Sequence, residues 1–154
     1  MDVSPIFPNL AVGSCPIGVE DVDRLRRDFG ITAVLNVQSD DDLASWDVDW
    51  NRLQACYRDS GIEVRRVPVQ DFDRDDFRRN LHRCVEVLDE LLRRDHVVYV
   101  HCNMGVNRSP SIVIAYLHWI QRWELERAAR YVMACRSCDP YLESIRLASA
   151  DRKK

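Results

Sequence analysis

The sequence predicts an α/β fold: a central, largely parallel sheet of about four to five strands flanked by helices. Three observations predict it. Short apolar runs rich in β-branched residues recur along the chain. Between them lie segments whose apolar residues return at helical spacing, as the crossovers of a parallel sheet require. The chain has 154 residues, 46% hydrophobic and 31% charged, which is the size and composition of a single globular domain over 1–154.

The elements follow in order. Asn9–Ser14 reads as a short strand. Val19, Val22, Leu25 and Phe29 form a helical stripe closed by Gly30 as C-cap. Ile31–Val37 is a buried strand. The acidic, Trp-bearing and exposed segment Ser39–Trp50 continues into a helix ending near Gly61. Ile62–Val69 is a strand, and Pro68 places it at an edge or a strand end. Phe77, Leu81, Cys84, Val85, Leu88, Leu91 and Leu92 draw one apolar stripe on a long helix. His96–His101 is a central strand, and Ser111–Ile120, apolar almost all round, is a buried helix. Leu125, Ala128, Ala129, Val132 and Met133 give a further stripe, and a last helix covers about Pro140–Ala150.

Charge and composition exclude several functions. A net charge of −3 rules out a generally basic surface for nucleic acid. No apolar run reaches the roughly 18 residues of a membrane span. The opening MDVSPIFPNL lacks the marks of a signal or transit peptide. The expected location is therefore cytoplasmic, or plastid if an upstream transit peptide has been removed. Six cysteines then read as thiols. Cys135 and Cys138 make one C-x-x-C without the second ligand pair that a structural zinc needs.

Chemistry concentrates in residues 96–111, HVVYVHCNMGVNRSPS, where a strand runs through a loop into a helix. Ser109 fits the N-cap and Pro110 the first helical position. The helix N-terminus then aims free N–H groups at the loop and makes an anion site. Arg108 adds a planar fork for two phosphoryl oxygens, and Cys102 sits at the mouth of that cradle. Helix N-termini and cations favour the thiolate, so the field that binds phosphate also generates a nucleophile. A Cys and an Arg six apart mean little alone in an arginine-rich chain. The preceding strand, the midway Gly105 and the following Ser-Pro give the spacing its meaning. No G-x-x-x-x-G-K-[ST] occurs, so this is not a nucleotide-binding loop.

HCNMGVNRS (His101–Ser109) resembles the H-C-x-x-G-x-x-R-[ST] signature of the dual-specificity branch of cysteine-based phosphatases. Within that branch the chain is most similar to stand-alone glucan phosphatases acting on starch or glycogen. The likeness runs through NLAVGSC (Asn9–Cys15), EDVDRLR (Glu20–Arg26), the segment around Trp46, RDSGIEVRRVPVQDFDRDDFR (Arg58–Arg78) and Arg136–Arg146. It implies a three-layer fold and hydrolysis of phosphate monoesters through a phosphocysteine, without metal or cofactor.

It also implies site residues. Cys102 is the nucleophile and Arg108 holds the phosphoryl group. Asp71, 31 residues before Cys102, is the general acid and then base, with Asp73, Asp75 and Asp76 as alternatives at a helix start. Ser109 assists departure of the thiolate. Substrate contacts fall on His101, Asn103, Met104, Gly105, Val106 and Asn107, with His101 also orienting the loop by hydrogen bonds. Trp46 and Phe72 offer aromatic faces to a sugar, while Trp119 and Trp123 read as core. The sequence departs from the glucan pattern at Met104, at Asn107 in place of a glycine, at Val3 and at Asp139, although Tyr141 is close. The partner expected is a phosphorylated glucan. A phosphoprotein, or a phosphoinositide, is the alternative, and a silent phosphate- or glucan-binding module the third. A sulfur-transfer domain and the low-molecular-weight phosphatases fit the spacing less well. The oligomeric state stays open.

Overall fold

The computed structural model describes residues 1–154. One sheet holds five strands, β1 (Val3–Phe7), β2 (Leu10–Gly13), β3 (Ala33–Asn36), β4 (Glu63–Arg66) and β5 (Val98–His101), in the order β1-β2-β5-β3-β4. Four of them run parallel, and β1 pairs antiparallel with β2. The helices are α1 (Val19–Phe29), α2 (Asp40–Ser45), α3 (Trp50–Asp59), α4 (Arg74–Arg93), α5 (Arg108–Trp119), α6 (Leu125–Cys135) and α7 (Leu142–Asp151).

Alternation along the strands divides the core in two. Val12, Leu35, Val98 and Val100 face a large cluster built with α4 to α7. Ala11, Val34 and Tyr99 face a smaller one built with α1 and α3. The result is three layers, helices on both faces of the sheet, as the sequence implies. The apolar α5 lies deepest, with only His118 of its twelve residues not buried.

Register places the site. Gly13, Asn36 and His101 end their strands side by side. The segments that follow therefore emerge together at the carboxyl edge of the sheet, where open α/β sheets bind ligands.

Several boundaries differ from expectation. β1 shows no strand pattern in the sequence, where Pro5 and Pro8 punctuate it; an edge position with a register shift between Pro5 and Phe7 accommodates Pro5. The acidic segment breaks into two helices. α2 opens with a reciprocal Ser39–Asp42 capping box, and Asp47, at φ 53°, turns the chain before Asp49 caps α3. β4 is the sheet edge but ends at Arg66, before Pro68. α5 starts at Arg108 with Asn107 as N-cap, not at Ser109. Pro110 becomes the third helical residue, still within the turn whose N–H groups have no intrahelical partner. Val19 and Met133 of the apolar stripes are exposed.

Candidate active site

The loop between β5 and α5 owes its shape to what holds its carbonyls. Cys102 O accepts from His101 Nδ1 at 3.0 Å, and Asn103 O from the Cys15 N–H at 2.9 Å. Met104 O and Gly105 O accept from Arg136 Nη2 at 2.9 Å and Nε at 2.7 Å. Val106 O accepts from the Asp139 N–H at 2.8 Å, and Asn107 O from the Ser111 hydroxyl at 2.5 Å. All peptide bonds are trans, so each outward carbonyl sends the next N–H the opposite way. None of the N–H groups of Asn103–Asn107 meets a protein acceptor. They form an anion-binding nest above Cys102. Gly105 has φ 69°, and a Cβ there would come within 2.5 Å of Gly13 C and 2.7 Å of Arg136 Nη2, so only glycine fits.

Arg108 is buried beneath this nest. Its Nη1 donates to Asp42 Oδ2 and to Val69 O, both at 2.7 Å. Nη2 has no protein partner, and Nε is buried without an acceptor. Asp71 Oδ1 lies 3.2 Å from Nε, close enough for charge attraction but out of line for a hydrogen bond. Asn103 links both carboxylates, donating to Asp42 Oδ1 at 2.8 Å and to Asp71 Oδ2 at 3.4 Å, while its own oxygen accepts from Gln38 Nε2 at 2.9 Å. Burial pushes the Asp42 carboxyl up. Hydrogen bonds from Arg108, Asn103 and the Ser39 N–H outweigh that and hold it below the usual carboxylate range.

A cavity of about 200 Å³ collects Asp71, Phe72, Cys102, Asn103, Met104, Val106, Asn107 and Arg108. Ser109 Oγ lies 3.3 Å from Cys102 Sγ. Phe72 is 83% exposed at φ 59°, and Met104 is 56% exposed, so both stand on the rim. Asp73 and Asp76 are occupied at the start of α4: Asp73 accepts from the Asp76 N–H, and Asp76 from the Gln70 N–H. Of the four aspartates weighed from sequence, Asp71 alone lines the cavity.

One expectation needs correction. His101 does not contact the cavity: it is buried behind the loop, stacked on Tyr99. Burial and the Arg108 charge outweigh its bond to Cys102 O and lower it to about 4, so the ring stays neutral. Trp46, expected to flank the pocket, does not line the cavity itself. It closes α2 half-buried, one turn after Asp42, on the same helical side. Gly105 has no side chain to place on the cavity wall; its N–H belongs to the nest, and its Cα packs against Gly13 and Arg136 behind the loop. Asn107, in place of glycine, adopts no left-handed angle (φ −113°), and its amide donates to Asp139 O at 2.7 Å. Tyr141 is buried against Phe77 and offers no outward face.

Sequence reasoning missed Asp42, Asn103 as a linker, and Arg136. Asp42 carried one signal, the capping-box spacing from Ser39, which speaks of the helix, not the site; Arg136 opened a stretch of family likeness that gave it no role. No group of three or more His, Cys, Asp or Glu side chains is disposed to hold a metal ion.

Residues 19–144 match the family described as dual specificity phosphatase, catalytic domain. The chain is 36% identical to the phosphoglucan phosphatase LSF1, chloroplastic, of Arabidopsis thaliana over 151 residues, covering 98% of this chain and 25% of that protein. It is 33% identical to laforin of Mus musculus over 162 residues, covering 99% of this chain and 49% of that one. It thus spans between a quarter and a half of these relatives. The crystal structure of the human tyrosine phosphatase-like serine/threonine/tyrosine-interacting protein superposes with a TM-score of 0.78 at 20% identity, covering 99% of this chain and 98% of that one, and shows the same fold. The match across most of its length and the loop from Cys102 to Ser109 lead to one conclusion: the chain belongs to the dual-specificity phosphatase catalytic-domain family.

Proposed function

We propose that the protein hydrolyses phosphate monoesters through a phosphocysteine, on a phosphorylated glucan. One observation carries the chemistry. Cys102 faces a cavity whose loop N–H groups and Arg108 Nε lack partners, and Asp71 borders that same cavity. Buried donors without acceptors call for an oxyanion. The Cys102 thiolate attacks phosphorus, the P–O ester bond breaks, and the departing oxygen takes a proton from Asp71. Water then attacks the phosphocysteine, Asp71, now a carboxylate, takes a proton from that water, and the S–P bond breaks. The Ser109 hydroxyl donates to the departing sulfur. Arg108 and the loop amides hold the three equatorial oxygens throughout.

The glucan assignment is supported by the phosphoglucan phosphatase among the relatives and by the exposed Phe72 at the rim. Trp46, one turn beyond Asp42 on α2, lies on the element that supports Arg108. The chloroplastic relative supports the plastid alternative over the cytoplasmic one.

The test compares phosphate release from phosphorylated amylopectin, phosphopeptides and an aryl phosphate, with wild type and Trp46→Ala. Wild type should favour amylopectin over phosphopeptides. The variant should lose about tenfold on amylopectin and little on the aryl phosphate, as loss of one sugar-stacking ring implies. Faster release from phosphopeptides would favour the protein-phosphatase alternative, and equal loss on both substrates would remove Trp46 from glucan binding.

A further inference from the structure

Arg136 caps the C-terminus of α6, remote in sequence from the phosphate loop. Its side chain is 5% exposed, yet no buried carboxylate neutralises it; its nearest acid, Asp2 at 3.2 Å, is 75% exposed. A buried cation is costly unless its donors are well used. Here they go to the loop and to β1: Nε to Gly105 O, Nη2 to Met104 O, and Nη1 to Ser4 Oγ at 3.1 Å.

Those two carbonyls have a defined consequence. Across a trans peptide the carbonyl and the following N–H point in opposite directions. Holding Met104 O and Gly105 O outward therefore aims the N–H groups of Gly105 and Val106 inward. The other loop carbonyls are held by backbone N–H groups, by the Ser111 hydroxyl or by the neighbouring His101 ring. Arg136 alone fixes two peptide planes with one side chain, and the 2.7 Å approach of its Nη2 to a Cβ position on Gly105 leaves no slack. We propose that Arg136 is a positioning residue for phosphoryl transfer. It sets the orientation of two of the amide donors that bind the transferring group, and Asp2 and Ser4 of the N-terminal segment hold it in place. The proposal rests on the phosphatase reading above and deepens it.

The test measures kcat and KM on an aryl phosphate, inhibition by inorganic phosphate, and thermal unfolding. The variants are Arg136→Lys, Arg136→Ala, and Asp2→Asn with Ser4→Ala. Lysine keeps the charge but has one nitrogen for two carbonyls. The expected result is a kcat about 100-fold lower in Arg136→Ala, on the scale of losing one oxyanion donor, with inhibition by phosphate weakened about tenfold. Lysine should recover only part of this, added guanidinium ion should restore activity to the alanine variant, and the Asp2/Ser4 pair should lose a few-fold. Wild-type kcat and phosphate inhibition in Arg136→Ala, whatever its melting temperature, would overturn the proposal. So would full rescue by lysine. If wild type is inactive on every phosphate ester, the phosphatase reading fails, and calorimetric titration with inorganic phosphate decides the positioning role separately. Weaker binding in Arg136→Ala than in wild type then sustains that role, and equal or absent binding in both sinks it.

Discussion

Arg108 commits Nη1 to Asp42 and Val69 and leaves Nε and Nη2 for a ligand. That division makes the guanidinium a fixed fork instead of a flexible cation. His101, next to the nucleophile, does related work on the other side of the loop. A carbonyl can only accept, so Nδ1 carries the proton that reaches Cys102 O, and Nε2 stays bare and buried. Folding thus requires a neutral ring lowered to about 4. The sign follows from proton binding: below about 6.5 the unfolded chain protonates this histidine while the folded chain refuses the proton. Stability therefore falls as pH drops from about 6.5 to 4, by about 3 kcal/mol from this residue. Urea unfolding at pH 7 and pH 4.5 should show this loss in wild type and a smaller one in His101→Asn. Equal losses in both would contradict it.

At the scale of elements, α2 is the least obvious part and the most consequential. Its six residues are too few for periodicity to reveal, and its sequence, DDDLAS, looks like solvated acid. The capping box fixes its start, and Asp42 then serves both Ser39 and Arg108. Ser39→Ala should cost about 1 kcal/mol, a melting temperature lower by about 2–4 °C, and should also lower kcat/KM on an aryl phosphate, because the Asp42 N–H loses its acceptor and the turn that carries the Asp42 carboxylate loosens, although the Ser39 N–H still reaches that carboxylate. Unchanged kcat/KM at a lowered melting temperature would separate the cap from the site. The longer helices and the four parallel strands were legible because each buries one continuous stripe or run. β1 was not, since an edge strand interrupted by proline carries no pattern. α5 was legible as buried, but an all-apolar helix has no periodicity to mark its start, and Ser109-Pro110 pointed two residues late. In the site, Cys102, Arg108 and Ser109 were legible because strand, loop and helix are contiguous. Asp42 and Arg136 were not, because their roles exist only once chain segments 66 and 31 residues apart meet.

The whole molecule is arranged so that the phosphate loop touches every part that could misplace it. Cys15 after β2, Ser111 in α5, and Arg136 and Asp139 beyond α6 each hold one or two of its carbonyls. β3 delivers Gln38, and α2 delivers Asp42, to the same edge. The loop is preorganised by the packed three layers, so its donors need little rearrangement when charge develops on phosphorus. That economy matters only if sulfur forms a bond to phosphorus. Ser109, 3.3 Å from Cys102 Sγ, gives the means to catch that bond, because its removal should slow the second step while sparing the first. The decisive measurement is stopped-flow release of the aryl alcohol from an aryl phosphate by Ser109→Ala. The account predicts a burst of about one alcohol per chain followed by slow turnover, with phosphorus recovered on Cys102. A linear time course with unmodified Cys102, at a rate matching wild type, would contradict it.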